Sequence, residues 1–124
     1  MNSKYEISAK ENREFLKASC EELLNFGHRF PSPNGGSYYL GDDGTPWKDR
    51  NRETWITCRM AHVYSLGLML GHEGSGELAD AALKGLKGEL HDEKNGGWYA
   101  GVTPEGDIAV SYTHLRAHET TLHL

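Results

Sequence analysis

Cysteine is scarce in this chain: only two, Cys20 and Cys58, occur among 124 residues. A small secreted domain held together by disulfides needs several pairs, so the sequence excludes that class. Both cysteines fall inside segments with helical periodicity, and a free cysteine behaves as a small apolar side chain. We therefore expect two plain buried thiols.

Long apolar runs and basic clusters are missing as well. The longest apolar stretch, around "SLGLMLG", is far shorter than a membrane span, and the opening "MNSKYEISAK" has no core of signal-peptide length. The formal net charge is −5, and Lys and Arg form no stripe that could neutralise phosphates. The sequence predicts a cytoplasmic protein with neither a membrane nor nucleic acid as its main partner, and leaves room for a small ligand.

The sequence does contain three segments with helical periodicity, at about residues 9–26, 53–70 and 76–90. The first and third each carry one apolar stripe, which in the first consists of Phe15, Leu16, Cys20, Leu23, Leu24 and Phe26. The second is apolar around most of its circumference, which implies burial on several sides. Helices of these two kinds in alternation predict a two-layer all-α arrangement.

Two glycine-rich loops separate the helices and resemble each other. "NGGSYYLGDDGTP" begins at Asn34 and "NGGWYAGVTPEGD" at Asn95, so the motif recurs after 61 residues (95 minus 34). Chance recurrence is the alternative in a chain with 15 glycines, but tyrosine at a matching offset favours a structural repeat. Each loop is predicted to form a short β-hairpin, turning at residues 42–44 and 103–106.

The repeats are few. Helical solenoids and toroids need several units before every apolar helix is covered, and this chain holds at most one and a half units. We therefore expect the chain to be the beginning of a longer protein.

The last stretch, "AVSYTHLRAHETTLHL", abandons the pattern of helices and loops. His114 and His118 stand four residues apart, a spacing that can place two metal ligands on one helix face, and His123 is nearby. However, "VSYTHLRAHET" resembles the translation of a transposase-based sequencing adapter, and such a scar is excluded from reasoning about fold and function. We predict a native domain over residues 1–108, an adapter-derived tail over residues 109–124, and no metal site.

The second helix places Trp55, Arg59 and His62 on one narrow face, since successive residues turn by about 100°. An aromatic wall, a fixed guanidinium and an imidazole can line a polar pocket. The alternative is an internal ion pair between Arg59 and an acid such as Asp92, with Trp55 in the core, and the pattern supports both interpretations equally. For His62 alone, a buried and hydrogen-bonded structural histidine is favoured over a catalytic one.

Three stretches carry a family resemblance: "NFGHRFPSPNGGSYYLGDDG", "TWITCRMAHVYSLGLMLG" and "ELADAALKGLKGELHDEKNGGWYAGV". Over residues 12–107 they resemble the N-terminal quarter of the N-acylglucosamine 2-epimerase superfamily, above all its aldose–ketose isomerase branch of mannose and sulfoquinovose isomerases. The resemblance implies an (α/α)6 barrel, of which this chain is the N-terminal fragment, a small sugar as substrate, and neither a metal nor a cofactor.

The resemblance also implies a role for Arg59. In the family, the matching arginine points into the barrel and holds sugar oxygens near the reacting carbons, while the tryptophan matching Trp55 helps to form the wall. A proton then moves between C1 and C2 through a cis-enediolate, and Arg59 is a catalytic electrophile that stabilises its negative charge. The family's acid–base histidines are expected beyond residue 124, so the chain alone is expected to be inactive. Tyr99, in the second loop, is expected at the rim or in packing.

Two other functions stay open at the level of sequence. One is a 2-epimerase acting on N-acylglucosamine or cellobiose, because the motif that contains Arg59 is shared between the branches. The other is a non-enzymatic binding module built from helical repeats, which explains the period of hairpin and loop equally well.

Overall fold

The computed structural model describes residues 5–109, which form three α-helices joined by loops that contain short strands. The helices are α1 (Lys10–Phe26), α2 (Thr54–Met69) and α3 (Ser75–Lys87), and a 3-10 turn, Gly27–Arg29, follows α1. The strands are β1 (Tyr39–Leu40), β2 (Pro46–Trp47), β3 (Arg52–Glu53) and β4 (Gly101–Val102). His114, His118 and His123, together with most of the predicted tail, lie outside the described residues.

The helix boundaries follow the sequence closely for α1 and α2, which differ from the prediction by at most one residue at each end. In contrast, α3 ends at Lys87, three residues before the predicted Leu90 (90 minus 87). Gly88 leaves the helical conformation with φ −110° and ψ −113°, which ends the helix there. Leu90 is still buried, at 1% exposed, but it belongs to the loop that follows.

The core lies where the hairpin of α2 and α3 meets the end of α1. Its buried members are Leu24, Phe30, Ala61, Tyr64, Ala79 and Ala82. Tyr64 stacks on Phe30 with their ring centroids 5.4 Å apart, and its hydroxyl donates a 2.6 Å hydrogen bond to the carbonyl of Leu24. This contact ties the C-terminal end of α1 to the middle of α2.

Much of the apolar helix surface is exposed, as the small number of repeats predicts, whereas the burial predicted for Cys20, Cys58 and His62 was wrong. Leu24 is the buried residue of α1, and α2 buries a single stripe made of Thr57, Ala61, Tyr64 and Gly67. Cys20 and Cys58 are both exposed because they lie on helix faces that no described element covers. Within residues 5–109, no helix has the combined length and apolarity of a membrane span.

The two Asn-Gly-Gly loops place their glycines in the same backbone region. All four glycines have positive φ, with values of 92° and 86° at Gly35 and Gly36, and 78° and 79° at Gly96 and Gly97. A main-chain bond closes each loop, from Ser32 N to Gly36 O at 3.0 Å and from Asp92 N to Gly97 O at 2.9 Å, so the second loop is one residue longer. The shared glycine conformation supports a structural repeat over chance recurrence.

The first loop packs directly on the backbone of α3. The Gly36 amide donates a 3.2 Å hydrogen bond to the carbonyl of Ala81, and a Cβ atom added at Gly35 would lie 2.5 Å from the Gly85 nitrogen. Only glycines permit so close an approach of two backbones. The loop is therefore fixed to α3 by main-chain contact.

Both predicted hairpins are present. In the first, β1 and β2 pair antiparallel, with Tyr39 opposite Trp47. In the second, the bridge between Val102 and Ile108 is flanked by a 2.7 Å bond from Thr103 N to Asp107 O and a 3.1 Å bond from Ala109 N to Gly101 O. In addition, β4 pairs with β3, which brings the second loop to the start of α2.

Candidate functional site

The start of α2 is the point where both glycine-rich loops meet. From the second loop, β4 pairs with β3, and the carbonyl of Ala100 accepts a 2.9 Å bond from the Thr54 amide. The Thr54 hydroxyl donates a 2.6 Å bond to the carbonyl of Tyr99. Thr54, the first residue of α2, is thereby fixed to the second loop through both its amide and its side chain.

The first loop is held to the same helix turn by Thr57, which is fully buried. Its hydroxyl accepts a 3.1 Å bond from the Ser37 amide and donates a 2.8 Å bond to the carbonyl of Glu53. The Tyr39 hydroxyl donates to the Glu53 carboxylate. Backbone and side-chain bonds from both loops therefore determine where the first turns of α2 point.

A buried ion pair at this end involves Arg52, a residue that the sequence analysis missed. Its side chain is 2% exposed and donates to the carbonyl of Gly35 at 2.8 Å and to the Glu89 carboxylate at 2.7 Å. The segment "KDRNRE" around Arg52 has the polar composition of a solvated loop, so local sequence offered no signal for its burial. A buried guanidinium is indeed present near the start of the central helix, but at Arg52.

Trp55, Arg59 and His62 all lie on exposed faces of α2. The guanidinium carbon of Arg59 is 5.1 Å from the centre of the Trp55 ring, a cation–π arrangement that leaves N–H groups of the guanidinium available. His62 is exposed, which corrects the expectation of a buried structural histidine. Arg59 and His62 were both expected to be buried. They are exposed because the described residues supply no further helix to cover this face of α2.

The predicted alternative, an ion pair between Arg59 and Asp92, does not occur. Within residues 5–109 no carboxylate pairs with Arg59. Asp92 instead accepts bonds from the amides of Asn95 at 3.0 Å and Lys94 at 3.1 Å. The backbone N–H of Asn95 is the main reason that the pKa of Asp92 lies below its usual value.

Tyr99 is half-buried, and its hydroxyl lies close enough to the Asp92 carboxylate to interact with it electrostatically. Partial desolvation, followed by the negative charge of Asp92, raises the pKa of Tyr99 above its ordinary value. The side chain is therefore engaged within its own loop, while its carbonyl holds Thr54. These contacts favour a packing role for Tyr99.

A cleft opens beside Trp55, on the side of the first hairpin. Its volume is about 430 Å³, and its walls are Tyr39, Trp47, Arg50, Asn51 and Glu53. The Tyr39 ring lies 6.3 Å from the Trp55 ring, so the cleft adjoins the face that carries Arg59. In the described part of the chain, no group of three or more His, Cys, Asp and Glu side chains could hold a metal ion.

The fold and the site together define the chain as part of an α/α-barrel protein. It is similar to the cellobiose 2-epimerase from Bacillus thermoamylovorans B4167, with a TM-score of 0.66 and 27% identity over 78% of this chain and 27% of that chain. The cellobiose 2-epimerase from Spirochaeta thermophila DSM 6192 shares the fold with a TM-score of 0.61 at 22% identity, over 80% of this chain and 27% of that chain. The prediction of fold class is confirmed.

The chain belongs to the N-acylglucosamine 2-epimerase (GlcNAc 2-epimerase) family, whose profile matches residues 35–118. It is 32% identical over 111 residues to a D-mannose isomerase from Thermobifida fusca, and 29% identical over 111 residues to one from Pseudomonas cannabina pv. alisalensis. In both comparisons the match covers 90% of this chain, which spans 27% of the relative's length. The family match passes the predicted boundary at residue 108 by ten residues (118 minus 108), and that boundary stays a prediction.

Proposed function

We propose that the full-length protein is an aldose–ketose isomerase of the mannose–fructose or sulfoquinovose–sulfofructose type. The observation that carries the proposal is the exposed guanidinium of Arg59, stacked on Trp55 and without a carboxylate partner among the described residues. The similarity to two D-mannose isomerases supports the same reaction.

The chemistry of the reaction explains why an arginine suits this position. Removing the proton from C2 of an open-chain aldose gives a cis-enediolate, with negative charge on the oxygens of C1 and C2. A planar guanidinium offers several N–H donors that can bind both oxygens, and it remains protonated throughout. Because the guanidinium already rests against the Trp55 ring, it needs less reorganisation to stabilise the developing charge. Other groups, which the resemblance identifies as histidines, carry the proton between C1 and C2.

A 2-epimerase is the second candidate, favoured by the structural similarity to cellobiose 2-epimerase at a TM-score of 0.66. An epimerase removes the same C2 proton but returns a proton to C2 from the opposite face, whereas an isomerase returns it to C1. The full-length protein incubated with D-mannose or cellobiose in deuterated water distinguishes the two by NMR. A ketose labelled at C1 supports the isomerase, and a C2-labelled epimer supports the epimerase. If D-mannose, sulfoquinovose and cellobiose all remain unconverted, the binding module built from helical repeats becomes the better description.

Arg59→Lys in the full-length protein tests the residue itself. Lysine keeps the charge but loses the planar fork, so we expect kcat to fall on the order of a hundredfold, with a smaller change in KM. The melting temperature should change little because lysine keeps the positive charge and Arg59 has no carboxylate partner among the described residues. Arg13→Lys on α1, another exposed arginine, is the matched control and should leave both quantities unchanged. Normal turnover by a destabilised Arg59→Lys variant would assign Arg59 a structural role instead.

A further inference from the structure

Glu53 is the N-cap residue of α2, yet its side chain makes no capping hydrogen bond. A carboxylate at the start of a helix can stabilise it by accepting bonds from amides of the first turn. Instead, the Glu53 carboxylate accepts a hydrogen bond from the hydroxyl of Tyr39, fourteen residues earlier in the chain. The first hairpin therefore holds a group that the helix would otherwise use for itself.

The Tyr39 ring is held at two points. Its backbone lies in β1, which pairs antiparallel with β2, and its hydroxyl is bonded to Glu53. A side chain held at both ends has few rotamers left, so the position of the ring is determined before any ligand binds.

Trp55 is the next residue in contact with this ring. It is 39% exposed, so burial alone does not fix its indole. The Tyr39 ring lies 6.3 Å from the Trp55 ring, with an angle of 56° between the ring planes. The guanidinium carbon of Arg59 lies 5.1 Å from the centre of the same indole. A continuous series of contacts therefore connects the Glu53 carboxylate to the Arg59 guanidinium.

We propose that Tyr39 and Glu53 are positioning residues, which act through the Trp55 ring to hold the Arg59 guanidinium where the substrate oxygens bind. This inference rests on the proposed function, because Arg59 must be the group that stabilises the charge of the transition state. A displacement of about 1 Å can lower a rate by roughly a hundredfold, even when its origin is far from the chemistry. The bond between Tyr39 and Glu53 thus affects catalysis although neither residue has to touch the reacting atoms.

Kinetic measurements on single variants of the full-length protein test the pair. Tyr39→Phe removes only the hydroxyl and should lower kcat by about tenfold, with less than about a twofold change in KM. Glu53→Ala should have the same effect. Glu53→Gln keeps an oxygen that can accept the bond, so its kcat should stay within about twofold of the wild type.

Tyr38→Phe is the matched control and should leave kcat unchanged. Tyr38 is half-buried like Tyr39. In the part of the chain that the structure describes, it makes no hydrogen bond to Glu53 and no ring contact with Trp55.

A second background shows whether the pair acts through Trp55. Trp55→Leu removes the ring that links the hairpin to Arg59, so adding Tyr39→Phe should lower kcat by no more than about a further twofold. The double variant of Tyr39→Phe and Glu53→Ala should likewise be no slower than either single variant, because both break the same bond. A further loss of about tenfold in the Trp55→Leu background would overturn the proposed route.

Fluorine NMR measures the position of the ring without relying on activity. The full-length protein is labelled with fluorotryptophan, and the resonance of Trp55 is identified by its loss in Trp55→Leu. Tyr39→Phe and Glu53→Ala should shift or broaden that resonance, whereas Glu53→Gln and Tyr38→Phe should not. A merely structural role of the pair would lower the melting temperature without moving this resonance.

The positioning pair and the proposed function can fail separately. If the wild type converts a sugar but Tyr39→Phe leaves kcat unchanged, the positioning pair is overturned. If no sugar is converted but the Trp55 resonance responds as expected, the positioning of the ring is supported and the proposed reaction is wrong. A resonance that does not respond overturns the positioning pair in either case.

Discussion

Replacing Arg52 with methionine should destabilise the full-length protein by about 3 kcal/mol, because it breaks a buried ion pair from one side. Arg52 is 2% exposed and makes two bonds, to the Gly35 carbonyl at 2.8 Å and to Glu89 at 2.7 Å. Removing one member of a buried pair typically costs about 3–5 kcal/mol. We expect the low end of that range because the Glu89 side chain is 31% exposed and can be partly hydrated once it is alone.

A double-mutant cycle measures the pair directly by denaturant unfolding of the wild type, Arg52→Met, Glu89→Gln and the double variant. Glu89→Gln leaves a buried guanidinium without a counter-charge, so it should also be strongly destabilising. The double variant should be more stable than the sum of the single changes predicts, by about 1–3 kcal/mol of coupling. Hydrogen exchange at the Gly36 and Ser37 amides should accelerate in Arg52→Met, since the first loop loses its anchor.

The control is the exposed ion pair of Lys10 and Glu14, whose atoms are 3.9 Å apart and whose side chains are 81% and 67% exposed. Lys10→Met should change the unfolding free energy by no more than about 0.5 kcal/mol. If Arg52→Met costs no more than Lys10→Met, or if the cycle shows no coupling, the inference that this pair fixes the loop to β3 is wrong.

Tyr64→Phe should cost about 1 kcal/mol, because the hydroxyl that bonds the Leu24 carbonyl is lost. Burial raises the pKa of Tyr64 above its ordinary value of 10.0, so the stability that the neutral phenol contributes is complete below that pH and is lost as the pH rises above it. Melting curves on either side of that pH should therefore show a smaller fall in melting temperature at alkaline pH for Tyr64→Phe than for the wild type. Residues 1–124 expressed alone should self-associate or bind a hydrophobic dye, since Met69 and Leu70 are 81% and 74% exposed. A monodisperse monomer with a sharp melt would contradict this last expectation.

The positions of the helices could be predicted because their signals are local. Apolar periodicity and a glycine stop determine where α1 and α2 begin and end, whereas α3 ended early at Gly88, inside a pattern that still looked apolar as far as Leu90. The pairing of β4 with β3 could not be predicted, since Val102 lies opposite Arg52, fifty residues earlier (102 minus 52). Such a partner depends on the packing of α2 and α3, which no short window of sequence contains.

For the candidate site, helical spacing was enough to bring Trp55 and Arg59 together, and their stacking follows from that spacing. Their degree of burial was predicted wrongly, because burial depends on neighbouring elements and not on the helix alone. Arg52 was missed for a related reason. Its partners, Gly35 and Glu89, lie 17 and 37 residues away along the chain, and only the folded arrangement shows that they converge.

The two Asn-Gly-Gly motifs should differ in how they vary among related sequences, although their letters are identical. At Gly35, φ is 92° and an added Cβ would lie 2.5 Å from the Gly85 nitrogen, so both torsion and space require glycine. At Gly96, φ is 78°, but among the described residues no atom apart from the glycine's own and those of its two chain neighbours lies within 4 Å of an added Cβ. Asparagine could stand there at a torsional cost of about 1 kcal/mol. Position 35 should therefore remain glycine through evolutionary divergence, while position 96 drifts towards asparagine and aspartate.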